Sequence, residues 1–183
     1  MDPAGDARLV DAMRRGDEAA FGQLYAAHHP AIYRYAVRMC GAAAADDVVQ
    51  ETFSALLQGA RYDPARGTLA AYLFGVARHH ILKRIAIADQ ESPLDVDPPD
   101  DTTPFDDVSR GQTVDSVRAA IDTLPPVYRE AIVLCELHEM DYAAAAALMQ
   151  VPIGTVRSRL HRAKALLCAR LAPTRVQVKV RHG

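Results

Sequence analysis

The residues best suited to chemistry lie near the C-terminal end of the chain. From about Ile153 to Leu171, Val156, Leu160, Ala163 and Leu167 recur along one side of a helix. Thr155, Ser158, Arg159 and Arg162 line another side at i, i+3, i+4, i+7, and Arg157, His161 and Lys164 flank them. An arginine fork bonds two acceptors on a guanine edge, and a Ser or Thr hydroxyl bonds bases or phosphates. The remaining cations would meet phosphates and hold the helix in register. A solvated basic face carries the same charges, so the elements in front of it decide. Asp141 is placed to cap a short helix with the stripe Tyr142, Ala145, Ala146 and Met149. Gln150-Val151-Pro152 breaks that helix, and Pro152-Ile153-Gly154-Thr155 opens the next. A short helix, a tight turn and a longer basic helix make a helix-turn-helix, whose second helix enters the major groove.

Further upstream, Val117, Ala120, Ile121 and Leu124 form a stripe, stopped by Pro125-Pro126, which can also open a helix carrying Tyr128, Ala131, Ile132 and Cys135. The first half is helical as well. Phe21, Leu24 and Tyr25 begin one stripe. Ile32, Tyr35, Ala36 and Met39 form another, Val49, Thr52, Phe53 and Leu56 a third, and Leu69, Leu73, Val76 and Ala77 a fourth. Gly41, Gly59 and the run Asp63-Pro64 to Arg66-Gly67 punctuate them. About four helices are predicted there, including a short one around Ala7–Arg15. The two halves are separated by DQESPLDVDPPDDTTPFDD, residues 89–107, with eight acids and four prolines. Such a stretch cannot hold a continuous helix, and its apolar content is too low to offset the entropy of ordering.

The predicted fold class is all-α: two small helical domains joined by a flexible acidic linker, the second with the helix-turn-helix. The expected boundaries are 8–88, a linker at 89–113, 114–172 and a basic tail at 173–183. The formal charge of −2 hides the asymmetry behind this division. Residues 1–88 are near neutral at +1, residues 89–115 carry −8, and residues 116–183 carry +5. That contrast is a cue for nucleic-acid work.

Other classes are excluded. No apolar run approaches the roughly 18 residues of a membrane span. The acidic start Met1-Asp2-Pro3-Ala4-Gly5-Asp6 is no signal peptide, so a cytoplasmic protein without membrane insertion is expected. Cys40, Cys135 and Cys168 show no CxxC spacing, and buried reduced thiols are expected. There is no GxxxxGK[ST] loop and no GxSxG elbow. His138-Glu139 begins like HExxH, but Tyr142 stands where the second His would be. The pairs His28-His29 and His79-His80 lack a third ligand at suitable spacing. No enzyme activity, metal or cofactor is expected.

The stretch Leu124–Glu130, followed by Val151–Ala163, resembles the promoter-reading C-terminal domain of bacterial extracytoplasmic-function sigma factors of the sigma-70 family. The first half agrees. Gly16–Phe21 with Leu24-Tyr25 resembles that family's opening helices, Asp46–Phe53 its polymerase-binding helix, and Tyr72–Arg78 its DNA-melting helix. The likeness covers about residues 8–88 and 114–171. It implies an initiation subunit, not an enzyme, that binds core RNA polymerase and directs it to promoter DNA. By resemblance, Asp47, Gln50 and Glu51 meet the polymerase; from the residues alone they are a solvated acidic helix start. The helix from Leu69 to Ile87 would read and open the −10 element through Tyr72, Arg78, His79, Lys83 and Arg84, with His80 beside them. Aromatic and cationic groups suit a base taken out of the stack. For Tyr72 a core position is an equal alternative. Thr155, Arg157, Ser158, Arg159, His161 and Arg162 would read the −35 element. The resemblance also implies an anti-sigma factor as partner, and a linker that enters the polymerase channel or serves as a tether.

The chain departs from the family pattern at four places. Tyr72 stands where Trp is usual. Ala143–Ala147 replaces a segment with Glu residues and a larger apolar side chain, which removes the capping-box partner of Asp141 and thins the core. Gln150 occupies a turn position often held by Gly. The tail beyond Pro173 has no counterpart. The second domain is therefore predicted to be the weaker one: residues 112–183 alone should melt below residues 1–90, and thermal melts of the two fragments check the order. The competing reading is a helix-turn-helix regulator that binds DNA without polymerase; it would leave the Asp46–Phe53 and Tyr72–Arg78 motifs without a purpose.

Overall fold

Four helices form the first half, each begun or ended by a residue suited to that place. The structure is a computed structural model and describes residues 3–58, 62–91 and 114–172. Helix α1 spans Pro3–Arg14, α2 Glu18–Cys40, α3 Ala42–Leu57 and α4 Leu69–Glu91. Asp17 caps α2, its carboxylate accepting the Ala20 N–H at 3.1 Å. Gly41, at φ 81°, ends α2 and lets α3 start at once in a new direction. Thr68 caps α4 by accepting the Ala71 N–H at 3.2 Å. The apolar stripes turn inward together. Leu24, Ile32, Tyr35 and Met39 of α2 meet Val48, Phe53 and Leu56 of α3 and Leu69, Leu73 and Ile81 of α4, all buried. Each such side chain contributes roughly 1.5–3 kcal/mol by leaving water. Val10 and the buried pair Asp6–His28, 3.1 Å apart, fasten α1 to this core.

The second half holds α5 (Val114–Asp122), α6 (Pro126–Ile132), α7 (Tyr142–Met149) and α8 (Ile153–Leu171). Pro125-Pro126 separates α5 from α6 as predicted. Helix α6 then loosens into a π turn over Val133–Leu137, which its apolar spacing did not announce. Ile121, Leu124, Ile132, Leu134, Met149, Val156 and Leu160 form the core. Among the described residues there is no strand, and the all-α class read from the sequence holds. The Gly59 break, most of the acidic linker and the basic tail lie outside the described residues. The cysteines are half-buried rather than buried: Cys40 ends α2, Cys135 sits in the π turn and Cys168 in the last turns of α8, where the core thins.

Asp141 caps α7 as predicted, accepting the Ala144 N–H at 2.8 Å. Gln150 ends it in the left-handed region, at φ 57° and ψ 44°. That conformation costs a side-chain-bearing residue about 1 kcal/mol. Gln150→Gly should therefore raise the stability of the second domain by about 0.5–1 kcal/mol, read as a higher urea midpoint. Ala145 is fully buried, so α7 closes in on the space that a larger residue would fill.

Candidate nucleic-acid interface

Helix α8 turns a polar edge outward, but of the row Thr155, Ser158, Arg159 and Arg162 only Ser158 is exposed, and the flanking Arg157 and His161 stand out beside it. Val156, Leu160 and Ala163 are buried beneath it, while Arg157, Ser158 and His161 are exposed. Thr155, Arg159 and Arg162 are half-buried on the flank. Pro152 opens the helix, its carbonyl accepting the Thr155 N–H at 2.9 Å. The Arg157 guanidinium lies 6.0 Å from the centre of the Tyr142 ring, at the reach of a cation–π contact. Tyr142, at the start of α7, shares the spacing of an apolar stripe but is exposed beside α8. Lys164 is engaged elsewhere, bonded to Glu136 at 2.7 Å.

The residues assigned by resemblance to α4 fall into three places. Tyr72 is half-buried, its ring centre 5.7 Å from that of Tyr62, with its hydroxyl made less acidic by burial. It touches both the core and a cleft of about 1040 Å³ lined by Phe74, Arg78, His79 and residues of α7. His79 and Lys83 are exposed. Arg84 lies on a different side and donates to Glu51 of α3 at 2.8 Å. His80 also reaches Glu51, at 2.9 Å. The Arg84 bond holds the Glu51 carboxyl below the usual range. Asp47, Gln50 and Glu51 of α3 are all exposed, and Glu51 at 2.8 Å and Asp47 at 3.8 Å share the Arg84 guanidinium, which ties α3 to α4. Sequence spacing could not show this, because Glu51 and Arg84 are brought together only by helix packing. Near Asp46, Gln50 and Leu57 a shallow groove carries Phe21, Tyr25 and His29, in which the rings of Tyr25 and Phe53 lie 4.7 Å apart.

Arg78 is the largest surprise. Its Nε donates to Glu130 of α6 at 2.7 Å, and its guanidinium also donates to the Met149 carbonyl at 3.3 Å. Tyr35 donates to the same carboxylate at 3.0 Å. Beside them His138 packs edge-on against Phe74, ring centres 5.1 Å apart. Burial, with Arg34 nearby, pushes the His138 imidazole down to about 4, so it is neutral at pH 7. Because the unfolded group takes a proton near pH 6.5 and the folded one resists it until about pH 4, its stabilising effect is present above 6.5 and lost as pH falls through that window. The melting temperature should fall over this range, and less steeply in His138→Phe. Parallel melts of both proteins check it.

Among the described residues no cluster of three or more His, Cys, Asp or Glu side chains could hold a metal, and no helix is long and apolar enough to cross a membrane.

A helix-turn-helix whose second helix carries an exposed basic edge, beside a helical bundle with exposed acids on α3, is the arrangement of a DNA-reading transcription protein. The comparisons name the kind. The Sigma-70 region 2 family matches residues 24–90, and Sigma-70, region 4 matches residues 115–167. The ECF RNA polymerase sigma factor SigM of Mycobacterium tuberculosis is 33% identical over 185 residues, covering 97% of this chain and 90% of that one. SigE of Mycolicibacterium smegmatis, also an ECF RNA polymerase sigma factor, is 34% identical over 174 residues, covering 89% of this chain and 66% of that protein's length. The fold is similar to CnrH in its complex with the cytosolic domain of CnrY, with a TM-score of 0.65, 27% identity and coverage of 90% and 96%. It is equally similar to the sigma factor RpoE of Bartonella quintana bound to the anti-sigma factor NepR, with a TM-score of 0.65, 25% identity and coverage of 85% and 98%. The chain belongs to the ECF sigma factors of the sigma-70 family, which are non-enzymatic initiation factors.

Proposed function

We propose that this sigma factor works in the cytoplasm as two reading heads on one polymerase-bound chain. Residues 8–88 would form the head for polymerase and the −10 element, and residues 114–172 the head for the −35 element, with 89–113 as connector and 173–183 as a basic tail. The observation that carries the reading is the exposed edge Arg157, Ser158 and His161 on a helix held from below by Val156, Leu160 and Ala163. Thr155, Arg159 and Arg162 extend that edge along the backbone. Tyr72, His79 and Lys83 supply the stacking and cationic groups for an opened −10 strand, with Arg78 joining them when it is free of Glu130. Arg84 acts through Glu51, holding α3 in place. The likeness to the sigma factor RpoE, solved with the anti-sigma factor NepR, supports an anti-sigma factor as the partner that keeps this chain from polymerase.

Run-off transcription with bacterial core polymerase on a genomic library tests this. New start sites that appear only with the protein are expected, sharing two upstream elements. Direct binding to duplex sites with no core-dependent initiation would instead make the chain a free-standing regulator. Gln50 gives a sharper test of the docking face. Gln50→Lys should weaken core binding about tenfold with little change in the melting temperature, since Gln50 is exposed, whereas Asp47 also pairs with Arg84 at 3.8 Å. Fluorescence anisotropy against labelled core reads the affinity.

A further inference from the structure

The cleft of about 1040 Å³ is walled by α2, α4, the segment after the π turn, and α7. Cavities of roughly 300–1,000 Å³ hold drug-sized ligands. Its charges are one-sided. Arg34, Arg66 and Arg78 line it, against a single acid, Glu139. Arg34 and Arg66 are exposed, and among the described residues neither guanidinium has a carboxylate within bonding distance. Arg78 gives Nε and Nη2 to Glu130 at 2.7 and 3.5 Å, and Nη2 also to the Met149 carbonyl at 3.3 Å. Its Nη1 makes no bond among the described residues. Unspent guanidinium forks are the groups that take phosphate oxygens two at a time.

The walls offer what a phosphate alone would not use. Tyr72, half-buried on α4, gives a ring on which a flat heterocycle can stack. His138 is held edge-on against Phe74, ring centres 5.1 Å apart. It is neutral at pH 7, because burial and Arg34 push its imidazole down to about 4. A neutral imidazole carries one N–H and one bare nitrogen, and neither is bonded among the described residues. Gln150 brings a side-chain amide from the opposite wall, exposed and likewise unbonded among the described residues. Glu139, next to His138, is held in the left-handed region at φ 52°, directly after the π turn. Such turns and such backbone gather at functional sites. We propose that this cleft binds a nucleotide: its phosphates on Arg34, Arg66 and Nη1 of Arg78, its base against Tyr72, and the heteroatom edge of that base on His138 and Gln150. A fatty acid would leave the amide and the imidazole unanswered, and a lone phosphate would leave the rings unused. That Tyr72 and Arg78 also meet an opened −10 strand rests on the sigma-factor reading above; the nucleotide site rests on the cleft alone.

The test uses the full chain without polymerase. Isothermal titration calorimetry with ADP and with GDP should give a Kd of about 10–100 μM for at least one of them. Pyrophosphate alone, and the matching nucleoside alone, should each bind about tenfold more weakly or worse, since each fills half of the site. Arg34→Gln should weaken the nucleotide about tenfold, whereas Arg15→Gln, which removes a cation outside the cleft, should leave the affinity unchanged. His138→Phe should weaken the nucleotide and not pyrophosphate. Gln150→Gly removes the amide while relieving the left-handed backbone. It should therefore bind the nucleotide several-fold more weakly although its urea midpoint rises, which separates loss of the site from loss of the fold. Three results overturn the proposal: no binding of ADP or GDP up to about 1 mM, pyrophosphate bound as tightly as the nucleotide, or Arg34→Gln and Gln150→Gly proteins that bind like the wild type. None of them bears on run-off transcription with core polymerase, so failure of the nucleotide site and failure of the sigma reading are told apart.

Discussion

Leu160→Ala should abolish −35-dependent transcription while leaving core binding within about twofold. Leu160 is 4% exposed at the middle of α8, in the core shared with α6 and α7. Truncating a buried leucine costs about 2–5 kcal/mol, through lost burial and the cavity left behind. A domain of some 60 residues has few kcal/mol to lose. The second domain should therefore be largely unfolded in the variant, and α8 would no longer hold its polar edge towards the groove. The polymerase face lies on α3, whose Val48 and Phe53 pack with Leu24 and Leu73 of the first domain, and should survive although the apolar cluster continues into the second. Urea unfolding followed by circular dichroism reads the stability, and run-off transcription reads the function. Full activity at an unchanged urea midpoint would sink the account of α8 as a helix held from below.

Arg157→Ala should lower transcription from a cognate promoter about 10–100-fold with no loss of fold. Arg157 is exposed in the first turns of α8, the part of a recognition helix that reaches base edges. A well-made bidentate arginine–guanine contact is worth about 1–3 kcal/mol of discrimination. The Tyr142 ring beside it limits the wandering of the guanidinium, so Tyr142→Ala should give a smaller loss in the same direction. Two readouts separate base reading from phosphate contact. A base-reading arginine, once removed, relaxes the preference at one promoter position. A phosphate-binding one weakens all sequences alike and reduces the salt slope by about one. Lysine at 157 should rescue the second case far better than the first, because it lacks the planar fork.

Local chemistry was legible in the chain itself. Helix periodicity placed the stripes of α2, α3, α4 and α8. Asp141 announced the start of α7, and Pro125-Pro126 the break before α6, because caps and prolines act on neighbouring backbone without help from distant residues. The left-handed turn at Gln150 was suggested only by the resemblance, which places Gln150 at a turn position often held by Gly. The motif order alone was enough for the sigma family, since its signature residues lie on consecutive helix faces.

Only tertiary packing decided what those residues touch. Glu51 and Arg84 are 33 positions apart and Arg78 and Glu130 are 52 apart, and nothing in either local pattern predicts the pairing. An arginine on an amphipathic helix looks the same in sequence whether it meets a phosphate or a carboxylate from another domain. The π turn after α6 was hidden for a related reason, because it adjusts the ladder of a helix whose apolar spacing reads as ordinary. Charge and periodicity are properties of short segments. The partner of a buried charge is set by how whole helices pack, and here that packing turned one expected DNA contact into the bolt between two domains.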